Sequence, residues 1–258
     1  MDMEAIKNTA LSAVFKGGRI LSDMYGSSFR VDRKGRIDLV TEADTASETA
    51  IIETLTRRFP DHDVLAEESG ASHRESPYRW VIDPLDGTTN FAHGLPLFSV
   101  SIAFQAHGET VFGVVFNPIT EELFMATKGE GATLCGRPIS VSEAATVEES
   151  LLVTGFPYNV RDIMPRLLSR FESCLDAAQG VRRLGSAALD LCFLACGRFD
   201  GFWEENLKAW DTAAGVLIAE EAGARITDFN GKKYTPGEVE MLATNGGIHQ
   251  EMITLLMT

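Results

Sequence analysis

One short segment constrains the fold more than any other, because it joins an apolar run to two acids and a helix start. Residues 80–83 predict a buried strand that ends at Asp83, and Asp86 follows three residues later. Pro84 holds Asp83 in an extended or turn conformation, so the two carboxylates can converge on one site. Residues 87–89 predict the first turn of a helix, whose free backbone N–H groups favour an anion. The fold must therefore bring a buried strand, two acids and a helix start to one point.

The two acids favour a cation as ligand, whereas the helix start favours an anion. A phosphate at the helix start would be repelled by Asp83 and Asp86 unless a divalent cation lay between them. Oxygen ligands in this number favour Mg²⁺ over zinc. By itself, however, an Asp-x-x-Asp spacing is more often a simple turn, with Thr88 capping the helix. The spacing alone leaves both interpretations open, a metal site and a turn.

The charge balance limits the classes of partner. The chain has 258 residues, and 37 acidic residues against 23 basic ones give a net charge of −14, which argues against binding a nucleic-acid backbone. No apolar run approaches the roughly 20 residues that span a bilayer, and the N-terminus lacks the basic and apolar regions of a secretory signal. The 4 cysteines are too few for a disulfide scaffold. We therefore expect a cytoplasmic protein that binds a small molecule and neither nucleic acid nor membrane.

Hydrophobic spacing predicts different structure in the two halves of the chain. In the first half it predicts a helix over residues 1–25, a second helix after Thr41, and short strands followed by an antiparallel meander. These strands are predicted at residues 63–67, 80–83, 98–105, 110–116 and 122–127. In the second half, helices alternate with short strands near Val181, Gly201 and Ile226. The helices there are predicted at residues 162–177, 186–197, 212–222 and 249–257.

This change of rhythm predicts an α/β fold of two layered sub-domains that share an interface. Polar residues interrupt the periodicity near 142–150, so we place a boundary there. The N-terminal α+β sub-domain then covers residues 1–145, and the C-terminal α/β sub-domain covers residues 146–258. Because no repeat or flexible linker separates them, we expect one compact unit.

Four segments in a fixed order resemble the inositol monophosphatase family, whose members are Mg²⁺-dependent, lithium-sensitive phosphomonoesterases. They are Asp-Leu-Val-Thr-Glu-Ala-Asp at 38–44, Glu-Glu-Ser at 67–69, the segment at 80–91, and Trp-Asp-Thr-Ala-Ala-Gly at 210–215 with its continuation to residue 223. The resemblance extends from the first helix to Asn245. It implies the inositol monophosphatase or sugar phosphatase-like fold, an α+β layered sandwich with alternating helix and sheet layers. It also implies that both sub-domains form one compact catalytic unit, and that the protein is a homodimer.

The resemblance also implies a role for each matching residue. Asp44, Glu67 and Thr88 are the expected catalytic residues, and Asp44 and Thr88 match the pair that orients and deprotonates the attacking water. The expected ligands of two or three Mg²⁺ ions are four carboxylates and one backbone carbonyl: Glu67, Asp83, Asp86, Asp211 and Leu85. The expected substrate contacts comprise phosphate-binding amides, ring-facing groups and shared metal ligands: Gly87, Thr88, Gly185, Ser186, Ala187, Glu204, Glu67, Leu85, Asp86 and Asp211.

The chemistry expected of a phosphomonoesterase agrees with this set of residues. Uncatalysed hydrolysis of a phosphate monoester is extremely slow, and an in-line displacement is served by two metals roughly 3.5–4 Å apart that share carboxylates. The chain has no Gly-x-Ser-x-Gly elbow, no His-based triad spacing and no Cys-x-x-Cys motif, so no covalent intermediate is expected. One departure concerns a family Lys near a third metal, because Arg33 stands at that position and Lys34 follows it. The third metal and the lithium response therefore stay open.

The substrate depends on the residues that face the ring. We expect myo-inositol monophosphate, because a carboxylate at Glu204 can accept hydrogen bonds from two vicinal hydroxyls. Related phosphatases for fructose 1,6-bisphosphate, histidinol phosphate or 3′-phosphoadenosine 5′-phosphate are alternatives, as is a regulatory binding protein that retains the fold. The convergence of five acids favours an enzyme. Arg182 and Arg183 are expected to pair with surface acids, and an interface or substrate role is the alternative for them.

Overall fold

Helices and strands alternate along the chain in the computed structural model, which describes residues 2–27, 31–33, 39–72 and 74–257. The helices in these ranges are α1 (Met3–Met24), α2 (Glu42–Arg58), α3 (Thr88–Ala92), α4 (Val160–Ala177), α5 (Ala187–Ala195), α6 (Ala209–Glu221) and α7 (His249–Leu256), with a 3₁₀ turn at Val147–Glu149. The strands of the first half are β1 (Val31–Arg33), β2 (Leu39–Thr41), β3 (Asp63–Ala66), β4 (Gly70–Ala71), β5 (Tyr78–Asp86), β6 (Ser99–Ala106), β7 (Glu109–Asn117), β8 (Glu122–Thr127), β9 (Gly131–Leu134) and β10 (Arg137–Pro138). The strands of the second half are β11 (Leu151–Thr154), β12 (Gly180–Arg182), β13 (Gly201–Glu205), β14 (Arg225–Thr227) and β15 (Glu240–Thr244).

The larger sheet has eight strands in the order β10-β9-β8-β7-β6-β5-β3-β4. Its neighbours are antiparallel except β3 and β5, which run parallel. Strand β5 is apolar on both faces, since alternate side chains point to opposite sides of a sheet. Trp80 and Ile82 pack with α1 and α2, whereas Val81 packs with α5 and α6. Helices therefore cover both faces of this sheet.

The smaller sheet has five strands in the order β12-β11-β13-β15-β14. Strand β11 pairs in parallel with β12 and β13, and β15 pairs antiparallel with β13 and β14. Phe202 and Ala243 face the α5–α6 layer, whereas Trp203 and Leu242 pack with α4 and α7. A short separate pair is formed by β1 and β2.

The elements stack as five layers: α1–α2, the larger sheet, α5–α6, the smaller sheet and α4–α7. This arrangement confirms the predicted α/β layered sandwich. One hydrophobic cluster contains buried residues of both sheets and of α5 and α6, so this central helix layer joins the two halves. The boundary between residues 145 and 146 stays a prediction. No helix within the described ranges is long and apolar enough to cross a bilayer.

The predicted elements occur near their expected ranges, with two instructive differences. The strand predicted at 80–83 extends over all of β5, because β6 pairs with both of its ends across an irregularity between Asp83 and Asp86. Pro84 is tolerated inside that strand because a bulge leaves its nitrogen outside the ladder. Strands β11 and β15 are not predicted by the sequence patterns, although each lies between two neighbouring strands in the smaller sheet. Buried runs of four or five residues show too little periodicity to be recognised.

Candidate active site

The first side chain of the candidate site lies at the start of α2. Asp44 accepts hydrogen bonds from the backbone N–H (2.8 Å) and the hydroxyl (2.6 Å) of Thr41, and the Thr41 hydroxyl accepts the N–H of Ala43 at 3.1 Å. This reciprocal capping fixes the start of the helix. The other oxygen of Asp44 accepts the hydroxyl of Thr88 at 3.0 Å. The local sequence that begins the helix thus also connects Asp44 to Thr88.

The bulge of β5 supplies the next groups. Asp83 accepts the backbone N–H of Leu85 at 3.0 Å, which turns the chain immediately after the apolar part of the strand. The Thr88 hydroxyl oxygen lies 3.1 Å from the carbonyl oxygen of Leu85. The bulge therefore holds a carboxylate and a backbone carbonyl beside the start of α3.

The second half of the chain reaches the same site through two helix starts. Asp86 accepts the Ser186 hydroxyl at 2.5 Å and two N–H groups in the first turn of α5 at 3.3 and 2.8 Å. Asp211, in the first turn of α6, accepts the N–H of Lys208 at 2.6 Å. A negative charge is favourable at a helix N-terminus. These bonds explain why both acids are stable at helix starts that come from different parts of the fold.

These groups line one cavity of about 290 Å³. Its wall contains every predicted metal ligand and substrate contact: Glu67, Asp83, Leu85, Asp86, Gly87, Thr88, Gly185, Ser186, Ala187, Glu204 and Asp211. Asp44 does not belong to the wall and reaches the cavity through the Thr88 hydroxyl. The fold therefore brings the predicted residues together, although their roles are not tested by this placement.

The pKa values show how closely the acids are grouped. Burial raises the pKa of Asp83 well above its usual range, and the neighbouring charges of Glu67, Asp86 and Asp211 raise it further. Burial also raises the pKa of Asp86 to about 6, against the hydrogen bonds from the start of α5. The pKa of Asp211 is raised to about 8, again chiefly by burial. Neighbouring buried acids of this kind are unfavourable unless protons or cations neutralise them.

The donor chemistry of the cavity fits a hard divalent cation. Carboxylates and a backbone carbonyl are the oxygen ligands that Mg²⁺ prefers, and no His or Cys of the described residues lines this cavity. Among the described residues, no three Asp, Glu, His or Cys side chains converge on a single point. Asp83, Asp86 and Asp211 instead bond to N–H or hydroxyl donors. Each of these carboxylates keeps acceptor sites that a cation could use, because its two oxygens offer about four lone pairs.

Glu204 occupies a different part of the wall, on β13. Burial raises its pKa to about 8, Asp211 adds to this effect, and the charge of Arg183 opposes it. A Cβ atom at Gly155 would lie 2.0–2.3 Å from the carboxyl atoms of Glu204. A larger residue at position 155 would force this carboxyl group to move. No sequence signal pointed to Gly155, because its partner in space lies on another strand.

Arg183 also lines the cavity, so the expectation that it pairs with a surface acid is wrong within the described part of the chain. Its guanidinium lies 5.9 Å from the ring centre of Phe156. Its charge acts on the pKa of Glu204 and Asp190 without forming an ion pair with either. The alternative interpretation, a role in the substrate site, is the one that this position favours. Arg183 lies two residues before Gly185, an expected substrate contact, and this proximity is the sequence feature that could have indicated its position in the cavity.

The prediction about a third metal concerns residues of a different segment. Lys34 and the side chain of Arg33 lie outside the described residues. The contribution of either charge therefore stays a prediction.

Comparison with known proteins agrees with this geometry. The model of the inositol monophosphatase family matches residues 2–257. An inositol-1-monophosphatase of Synechocystis sp. is 45% identical over 253 residues, which are 97% of this chain and 88% of the relative. The Nus factor SuhB of Pasteurella multocida is 45% identical over 232 residues, or 89% and 87% of the two chains. The solved inositol monophosphatase of Anabaena (Nostoc) sp. has a TM-score of 0.89 and 40% identity, covering 100% of this chain and 97% of its own. The chain thus belongs to the inositol monophosphatase family and is a phosphatase.

Proposed function

We propose that this phosphatase hydrolyses myo-inositol monophosphate to inositol and phosphate, with Mg²⁺ as cofactor and water as the nucleophile. The observation that carries the proposal is one cavity that joins four acids, of which Asp83 and Asp86 are buried, to the Asp44–Thr88 pair and to Glu204. The acids can bind cations, the Asp44–Thr88 pair can accept a proton, and Glu204 can accept hydrogen bonds from hydroxyl groups of the substrate.

The cations would be held by five residues: Glu67, Asp83, Asp86, Asp211 and, through its carbonyl, Leu85. Bound Mg²⁺ supplies neutralising charge for the phosphate and lowers the pKa of a water molecule. Without such neutralisation the clustered carboxylates would repel a phosphate dianion. The number of ions, two or three, is part of the proposal.

The protein's own proton acceptor in this proposal is Asp44, acting through Thr88. Thr88 donates its hydroxyl hydrogen to Asp44, so its oxygen can accept a hydrogen bond from a water in the cavity. Burial raises the pKa of Asp44 above its usual range, which makes this carboxylate a stronger base than an exposed Asp. The pair can therefore orient the attacking water and take its proton.

The substrate would be held at two places. The backbone N–H groups of Gly87 and Thr88 would bind the phosphate, as free donors at a helix start do. Glu204 would accept hydrogen bonds from two hydroxyls of the ring, with Gly185, Ser186 and Ala187 completing the contact. A cation bound by the neighbouring Asp211 would lower the pKa of Glu204, and hydrogen bonds to the resulting carboxylate are worth more than bonds between neutral groups. Glu204 would therefore favour a polyol.

The panel that tests this proposal compares phosphate release from sugar, inositol and nucleotide phosphates. We expect myo-inositol monophosphate to be hydrolysed most efficiently, and release to stop when EDTA removes the metal. Unchanged activity in excess EDTA would contradict the metal assignment. The substrate would be reassigned if fructose 1,6-bisphosphate, histidinol phosphate or 3′-phosphoadenosine 5′-phosphate were hydrolysed faster. For a substrate with two phosphates, Arg183 would then be the cation that binds the second one.

Lithium inhibition, a homodimer and a cytoplasmic location belong to the same proposal. The cytoplasmic location is supported by four free cysteines, which suit a reducing compartment. The homodimer is supported by apolar side chains exposed on α4: Met164, Leu168 and Leu175. Sedimentation at the mass of one 28.1 kDa chain would refute the dimer, and activity indifferent to high lithium concentrations would refute the inhibition.

A second role in regulation is suggested by the name Nus factor, which the Pasteurella relative carries. In this chain such a role would accompany catalysis and not replace it, because all five acids predicted for catalysis are present at the site. If the folded protein with Mg²⁺ hydrolysed no substrate of the panel, that result would instead favour a regulatory binding protein that retains the fold.

A further inference from the structure

Glu48 is a buried acid that lies one helical turn after Asp44 on α2, and it is only 4% exposed. Its two carboxylate oxygens accept the backbone N–H groups of Glu68 and Ser69, each at 2.9 Å. Glu48 does not line the cavity. The residues it binds form the turn that directly follows Glu67. Its bonds therefore act on the backbone next to an acid of the candidate site.

The position of Glu67 depends on this turn. Glu67 follows the last residue of β3, and its own N–H donates to the carbonyl of Ile82 at 3.3 Å, near the long limit for such a bond. The two bonds to Glu48 are shorter and are assisted by its charge, which makes them stronger than bonds between neutral groups. The turn on the far side of Glu67 is thus held by α2, and the chain beyond it by the pairing of β4 with β3.

The same face of α2 reaches the other parts of the site. Asp44 accepts the hydroxyl of Thr88, and Ser47 donates its hydroxyl to the carbonyl of Pro84 at 3.0 Å. Residues three and four apart lie on one side of a helix, so these two side chains and Glu48 point in a common direction. One helix face consequently connects the bulge of β5, the start of α3 and the turn after Glu67.

We propose that Glu48 is a positioning residue, which holds the turn after Glu67 so that the Glu67 carboxylate faces the metal site. This inference rests on the proposed function, because it requires that Glu67 binds Mg²⁺. Glu48 contacts neither substrate nor metal and acts through backbone hydrogen bonds alone. Its loss should therefore weaken metal binding while leaving the chemical step intact once the metal is bound.

The test is Glu48→Gln, which keeps the shape of the side chain. The amide has only one acceptor oxygen, whereas the N–H groups of Glu68 and Ser69 each need an acceptor. The readout is the Mg²⁺ concentration at the midpoint of the metal-dependent rise in Tm, measured with MgCl₂ and no substrate. We expect this midpoint to increase about 10- to 100-fold, as for residues that orient metal ligands. At saturating Mg²⁺, kcat should return to within about threefold of the unsubstituted protein, since no group that touches the substrate is changed.

Asp63 provides a matched control at the opposite end of β3. It is also 4% exposed, and it accepts the backbone N–H groups of Arg74 at 2.7 Å and Ser76 at 3.2 Å. Asp63→Asn removes the same kind of carboxylate-to-backbone bond, but none of these residues lines the cavity. We expect it to lower Tm without moving the Mg²⁺ midpoint.

The outcomes separate this inference from the proposed function. A folded Glu48→Gln variant with an unchanged midpoint overturns the positioning role, and so does an equal shift in Asp63→Asn, because that would report general loosening. If Glu48→Gln does not fold, Glu48→Asp takes its place with the same expectation, since the shorter side chain keeps the charge but cannot span both N–H groups. Absence of any Mg²⁺ effect in the unsubstituted protein refutes the proposed metal site itself.

Discussion

Two buried acids on opposite sheets, Asp83 and Glu204, show how similar residues can be prepared for different tasks. Burial is the largest cause of the raised pKa in both. Around Asp83 the neighbouring charges with the largest effect are three acids, Glu67, Asp86 and Asp211, and all three raise its pKa further. Around Glu204 the cation of Arg183 opposes the acids. The larger sheet therefore presents a cluster of acids whose charge would favour a cation, whereas the smaller sheet presents a carboxyl group whose surroundings include one.

The strongest way to break this comparison is Asp83→Asn. If Asp83 is shared between metal ions, the amide weakens both, and turnover with Mg²⁺ should fall at least about a hundredfold for every substrate. Removing one of several mutually repelling charges should leave the metal-free protein equally stable or slightly more stable. Phosphate release and thermal melting in EDTA measure the two effects. A variant that keeps more than about a tenth of the turnover would remove Asp83 from the metal site, given the loss expected from a missing metal ligand.

Glu204→Gln sharpens the comparison because it should affect only one class of substrate. Losing a charged hydrogen-bond partner costs about 1.5–3 kcal/mol, so kcat/KM for inositol phosphate should fall about 10- to 150-fold relative to p-nitrophenyl phosphate. The loss should arise mainly from a higher KM. Asp211→Asn is the control, and it should depress both substrates alike. Equal losses on both substrates for Glu204→Gln would show that this residue is structural or linked to the metals.

The smaller sheet has its own sensitivity to acid, which depends on His249. The two nitrogens of the buried ring form hydrogen bonds with the hydroxyl groups of Thr227 on β14 (2.9 Å) and Thr244 on β15 (2.8 Å). Burial, with the charge of Arg225, lowers its pKa from 6.5 to about 4. As the pH falls, the unfolded chain therefore binds a proton at His249 before the folded protein does. The contribution of neutral His249 to the free energy of unfolding is full above pH 6.5 and declines between pH 6.5 and 4. We expect about 2 kcal/mol of unfolding free energy to be lost in this window.

Urea unfolding at several pH values measures this loss. His249→Gln is the matched variant, because it cannot gain a proton in that window, and its stability should change less between pH 6.5 and 4. The same pH profile in both proteins would show that other groups are responsible.

The smallest expected effect concerns the helix layer between the sheets. A Cβ atom at Gly113 of β7 would lie 2.9 Å from the carbonyl oxygen and 3.0 Å from the Cα atom of Ala214 on α6. Gly113→Ala should therefore push α6 away and cost about 1 kcal/mol, as overpacking does. Because Asp211 lies in the first turn of α6, a small rise in the Mg²⁺ requirement should accompany the lower Tm. An unchanged Tm would indicate that the helix can shift without cost.

Several parts of this protein follow from local sequence. The capping of α2 by Thr41 and Asp44 involves residues three positions apart, and such contacts are readable from the chain. The antiparallel meander β6–β7–β8 is likewise predicted, because its strands are long, alternating and separated by turns. Strands β11 and β15 are not, since buried strands of four and five residues lack a period that distinguishes them.

The site divides in the same way. The chain by itself determines that Asp83, Asp86 and the start of α3 lie together, because Pro84 and the end of an apolar strand act on adjacent residues. Only the tertiary structure decides that Ser186 bonds to Asp86 across 100 residues, that Gly155 makes room for Glu204, and that Arg183 enters the cavity. These contacts depend on how the sheets pack against one central helix layer. Packing of that kind is a sum over many distant side chains, and no local pattern of residues records it.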